Sequence, residues 1–152
     1  MRCAFFVFCL TLSAQVLASG AFVGSDNCGS CHTEQHTQWQ GSHHDLAMET
    51  PTEQSVLGDF NQATFTHRDV VTTFFRKDAA WFIRTAGEDG KLADFPVRYT
   101  FGAYPLQQYL LPLSRGRLQA FEIAWDARPA AEGGQRWFHL NPDEVTDHTD
   151  PL

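Results

Sequence analysis

Residues 28 to 32 read Cys-Gly-Ser-Cys-His. Two thiols three positions apart, followed at once by an imidazole, form the C-x-x-C-H pattern of c-type haem attachment. The chemistry needs every part. The thiols of Cys28 and Cys31 add across the two porphyrin vinyl groups as thioethers, and their spacing puts both sulfurs on one side of a single turn. His32 then lies beneath the iron and supplies an axial nitrogen. His32 follows Cys28 by four residues, so on a helix the two side chains share a face. Ser25 or Asp26 is suited to cap a helix that starts here.

Three other chemistries use similar residues. A thioredoxin-like redox motif wants a strand before the cysteines and a βαβ pattern around them; Ala21-Phe22-Val23-Gly24 is too short and isolated for that. A zinc site wants four ligands, and although His43 or His44 is at hand, no second close cysteine pair exists. A bare disulfide has no need of His32.

The second axial position has several candidates. His36 is one turn from His32 on the same face and cannot pass round the porphyrin, so it is expected at the haem edge or in solvent. His43 and His44 follow Trp39-Gln40-Gly41-Ser42. On an unbroken helix His44 would lie about 18 Å along the axis from His32, so one straight helix cannot ligate both faces of one haem. Gly41 offers a place for the helix to end and the chain to turn back. His44 is the first candidate for the second iron ligand, and His43 and His67 are weaker ones. His67 sits in the aromatic stretch Thr64-Phe65-Thr66-His67, where an exposed strand histidine is the blander expectation. Met48 is expected to pack, and His139 and His148 to be solvated.

Attachment of this kind requires export, and the N-terminus reads as a secretory signal. Met1-Arg2 is a short positive start, Cys3 through Leu12 is almost wholly apolar, and Val16-Leu17-Ala18 offers a cleavage site after Ala18, with Gly20 as the second choice. The apolar run is short for a bilayer span, so no stable membrane anchor is expected after cleavage. Cys3 and Cys9 leave with the leader, and the mature chain keeps Cys28 and Cys31. The expected location is the periplasm or another exported compartment. The formal net charge of −7 argues against a nucleic-acid partner, which would want a basic face. It suits soluble redox partner proteins met through charge complementarity.

The elements that must position the motif are expected to be of two kinds. Residues 1–18 are the signal peptide, 19–58 a helical haem-binding segment, and 59–152 an antiparallel β region packed with it as one domain. The fold class is thus α+β, helix first, with two hairpins. Glu88-Asp89-Gly90-Lys91 is a turn signal joining Trp81–Thr85 to Leu92–Phe101, with Pro96 marking an edge or a bulge. Ser114-Arg115-Gly116-Arg117 joins Gln107–Leu113 to Leu118–Trp125. Ala120, Glu122 and Ala124 alternate with Phe121, Ile123 and Trp125, as in a half-buried strand. Val70 to Arg76 is rich in β-branched and aromatic residues, and Pro129 to Gln135 reads as a loop.

The stretch Phe22-Val23-Gly24-Ser25-Asp26-Asn27-Cys28-Gly29-Ser30-Cys31-His32, followed by Trp39-Gln40-Gly41-Ser42-His43-His44, resembles the start of multihaem c-type cytochromes of the cytochrome c-554 kind. It is most similar to the exported bacterial type that also carries tetratricopeptide repeats. Tyr99-Thr100-Phe101-Gly102, Pro105-Leu106-Gln107-Gln108-Tyr109 and Gly133-Gly134-Gln135-Arg136-Trp137-Phe138-His139 resemble the region after the first haem in those proteins. The resemblance spans nearly the whole mature chain. It implies one covalent haem c here, an iron-ligating role for His44, further haem domains as partners, and an N-terminal part of a longer protein truncated at its C-terminus. The family carries further C-x-x-C-H motifs downstream, and this chain has one.

Three functions follow as expectations. The first is a cytochrome fragment that transfers electrons. The second is a haem subunit of a periplasmic enzyme acting on a small nitrogen or sulfur species. The third is a β-rich binding domain with a CxxC disulfide. Between carrier and enzyme, the carrier is favoured.

Overall fold

A computed structural model describes residues 22–143. The signal segment, Cys3, Cys9 and His148 lie outside the described residues. The chain divides into two compact units, with the boundary between His36 and Thr37. Residues 37–58, expected within the haem segment, thus belong to the second unit.

The first unit holds a short helix, α1 (Asp26–Gly29), and the start of α2 (Thr33–Trp39). Neither is expected to be stable alone, because a helix this short fixes many dihedrals for few hydrogen bonds. Ser25 occupies the N-cap position but makes no side-chain cap bond. Its backbone carbonyl does the local work, accepting from the amides of Cys28 at 2.9 Å and Gly29 at 3.2 Å. α2 ends at Trp39, and Gly41 follows with φ +70°. That left-handed conformation suits glycine because it lacks a Cβ, and it breaks the straight path from His32 to His44.

The described strands all lie in the second unit and pair antiparallel, so the fold is mixed α+β, mostly β, with the helices first, as the composition of the segments predicts. One sheet takes β2 (Ala63–His67), β3 (Val70–Lys77), β4 (Ala80–Ala86) and β5 (Leu92–Pro96) in sequential order. The other runs β1 (Met48–Glu49), β6 (Tyr99–Phe101), β7 (Leu106–Pro112), β9 (Ile123–Asp126) and β10 (Arg136–His139), with β8 (Leu118–Ala120) also paired to β7.

Both expected hairpins form, and each expected long strand breaks. β4 pairs β5 across the Glu88–Lys91 turn, with Phe82 opposite Pro96. The stretch Leu92–Phe101 then divides after Pro96, and β6 crosses to the other sheet to pair β7. Pro96 cannot donate to a further neighbour, which fits its place on an edge strand. The second hairpin places Leu118–Ala120 against Leu110–Pro112. The stretch Leu118–Trp125 divides at Phe121-Glu122, and β9 is buried along its whole length rather than on one face.

The core joins the two sheets. Phe74, Trp81 and Ile83 from the first sheet meet Tyr109, Leu111, Ile123, Trp125 and Trp137 from the second. Trp137 stacks on Phe74 with ring centroids 3.6 Å apart and planes 6° apart, and meets Phe60 and Trp125 edge-on. Aromatic pairs of this kind add about 0.5–1.5 kcal/mol beyond the area they bury. Tyr109, fully buried, anchors the segment entering β2: its hydroxyl accepts from the Gly58 amide at 3.0 Å and donates to Gln107 Oε1 at 2.7 Å. Burial pushes its phenol well above the usual range, so the hydroxyl keeps its proton. Among the described residues no helix is long and apolar enough to cross a membrane.

Candidate functional site

Cys28, Cys31 and His32 come from one helical turn. The amide of Cys31 bonds the Cys28 carbonyl at 3.3 Å, and the amide of His32 bonds the same carbonyl at 2.9 Å. The latter is an i to i−4 bond, which stacks His32 one turn after Cys28. The turn continues into α2 through His36 N–H to the His32 carbonyl at 2.9 Å. Small polar side chains brace it from both ends. Ser30 Oγ donates to the Asn27 carbonyl at 2.9 Å, Thr33 Oγ1 to the Gly29 carbonyl at 2.9 Å, and Asn27 Nδ2 to the Val23 carbonyl. Both cysteines are free thiols and exposed, and His32 is exposed beside them.

This donor set fits a haem c. Covalent attachment needs two reduced, accessible sulfurs and a nitrogen one position on, and the turn supplies all three on a single short segment. Among the described residues no group of three or more His, Cys, Asp or Glu side chains is placed to hold a bare metal ion, so Cys28, Cys31 and His32 would serve a group that brings further donors of its own.

The remaining histidines divide by unit. His32 and His36 belong to the first, and His43, His44, His67 and His139 to the second. His43 and His44 follow the Gly41 turn, which is closed by the Gly41 amide on Asp45 Oδ2 at 2.8 Å and by Ser42 N–H on the Trp39 carbonyl at 3.0 Å. His44 is exposed and stands at the start of the 3-10 turn Asp45–Ala47. His43 lies against Tyr104, ring centroids 5.9 Å apart. Met48, expected to pack, is about half exposed on β1 opposite Phe101.

His67 and His139 are placed differently from expectation. His67 ends β2, His139 ends β10, and the two rings stack with centroids 4.1 Å apart. His139 is nearly buried rather than solvated, with 9% of its side chain exposed and Nε2 3.4 Å from Glu122 Oε2. Its Nδ1 accepts from the Asn141 amide at 3.1 Å. His67 is half-buried, and its Nε2 is shielded from solvent. His36 is the other residue whose place the spacing did not show: its ring lies on the Gly29 backbone. Seventy-two positions separate His67 from His139, and no local pattern encodes such a meeting.

Comparison with protein-family models, with curated proteins and with solved structures gives no match.

Proposed function

We propose that this chain is the N-terminal part of an exported c-type cytochrome, of the multihaem kind its sequence resembles, and that it carries one covalent haem used for electron transfer. The observation that supports this reading best is the single helical turn that presents two free, exposed thiols and an exposed imidazole in C-x-x-C-H order.

Each residue has a defined task. Cys28 and Cys31 would hold the group, each through one thioether in which sulfur takes one vinyl carbon and the thiol hydrogen the other. His32 would hold the iron through its imidazole nitrogen. His44, exposed just after the Gly41 turn, is the first candidate for a second axial nitrogen. When bound, the haem iron supplies one-electron chemistry between the ferric and ferrous states, at a potential set by axial ligands, burial and hydrogen bonds. Export places the thiols where attachment occurs, and further haem domains or redox proteins are the partners this reading calls for.

The test is expression with the leader in a bacterial host that has c-type maturation machinery. Haem staining after a denaturing gel and a pyridine haemochrome spectrum then count covalent haem. The expected result is about one haem per chain, lost in Cys28→Ala. A well-exported chain with no covalent haem would refute the reading.

A further inference from the structure

Among described residues 22–36, all are exposed except two: Gly29, inside the attachment motif, and His36, one turn beyond the proximal histidine. They touch each other. A Cβ built on Gly29 would lie 2.9 Å from His36 Nδ1, 3.0 Å from Cγ and 3.3 Å from Cε1. Three ring atoms at that range mean the imidazole covers the glycine backbone, leaving no room for a side chain. The ring reaches back across seven positions, from α2 to the last residue of α1. Its far nitrogen, Nε2, is 3.7 Å from Asp26 Oδ1 at the start of α1, and its side chain is 15% exposed.

This contact addresses a weakness in the site. A four-residue helix followed by a single turn has little stability of its own, and the polar bonds that brace it are exposed to competing water. The His36 ring supplies what those bonds lack, a packed contact that spans the motif. We propose that His36 is a positioning residue for haem attachment: its ring, seated on Gly29, holds the Cys28–His32 turn in the form that presents both thiols. The proposal rests on the cytochrome reading. Gly29 then leaves the space that the ring fills, and a side chain at the first variable position of the C-x-x-C-H motif would push the ring aside.

The test compares native chain, His36→Ala, His36→Phe, Gly29→Ala and the double variant Gly29→Ala/His36→Ala. Two quantities are read: covalent haem per exported chain, and the Cα chemical shifts of residues 27–32 in full-length protein made without maturation machinery. His36→Ala and Gly29→Ala are each expected to lower haem loading by about threefold and move the shifts toward coil values, the size expected for one packed contact. His36→Phe, which keeps a ring on the glycine, is expected to restore both. In the double variant Gly29→Ala is expected to add nothing, because the ring it displaces is already gone. Native-level haem and unchanged shifts in His36→Ala would overturn the proposal while leaving the cytochrome reading in place. No haem on the native chain would overturn both.

Discussion

The motif residues carry tasks that single substitutions separate. In the proposed reading Cys28 and Cys31 would make the covalent link, whereas His32 would ligate the iron without contributing to that link. His32→Ala is therefore expected to leave haem stain on the denatured chain while changing the absorption spectrum of the folded, reduced protein. A spectrum unchanged by His32→Ala would show that another residue is the proximal ligand. A second residue-scale prediction concerns Asp126, a buried carboxylate at the end of β9. Arg128 holds it with Nε on Oδ1 at 3.0 Å and Nη2 on Oδ2 at 2.6 Å, and the Arg128 amide adds a third bond at 3.1 Å. The guanidinium bonds are the chief reason that the carboxyl sits at about 2, below its usual range. A carboxyl depressed in the folded state favours folding above the unfolded value of about 3.9, and that contribution is lost as pH falls from there through about 2. Arg128→Met is expected to melt below the native protein at pH 6, with the gap closing by pH 2. A gap in Tm that stays constant across that range would mean the ion pair is not its source.

At the scale of elements, the sequence shows most where turn chemistry is explicit. Glu88-Asp89-Gly90-Lys91 and Ser114-Arg115-Gly116-Arg117 each contain a glycine at positive φ, and both hairpins stand where those signals put them. The turns of β2–β3 and β3–β4 instead place Arg68 at φ 51° and Asp78 at φ 56°, and an arginine there advertises nothing. β10 was hidden for another reason: four residues, Arg136–His139, become a strand through the Trp137 ring's place in the core, a tertiary effect that local propensity does not carry. Leu92–Phe101 broke where the chain passes from one sheet to the other, and Leu118–Trp125 broke within one sheet, where β8 and β9 pair different parts of β7; both breaks depend on contacts across the whole unit. The helical turn of Cys28, Cys31 and His32 and the break at Gly41 were legible because their spacing is local. The packing of His36, His67 and His139 was not. The same long-range logic makes Tyr109 a test of how β7 holds the segment before β2. Tyr109→Phe deprives the half-buried Gly58 amide of its acceptor and is expected to cost about 1 kcal/mol in urea denaturation. A loss well under that figure would mean water replaces the hydroxyl.

At the scale of the molecule, the buried core of the described residues lies on one side of the unit boundary. Every described residue that is buried, from Ser55 to Trp137, belongs to the second unit, and the attachment motif belongs to the first. The β unit thus has its own core, built from both sheets and centred on the Phe74–Trp137 stack. Its stability is expected not to depend on the cysteines. The triple variant Cys28→Ala/Cys31→Ala/His32→Ala removes three exposed side chains and is expected to unfold within about 0.5 kcal/mol of the haem-free native chain. Trp137→Ala removes a ring that touches Phe74, Phe60 and Trp125 and is expected to cost about 3–5 kcal/mol. Equilibrium denaturation followed by tryptophan fluorescence distinguishes the two, with Trp81 and Trp125 remaining as buried reporters in the second variant. A large loss in the triple variant would place part of the β unit's stability in the motif and refute the division of labour, in which a self-supporting β unit carries a turn whose chemistry depends on a separate local contact.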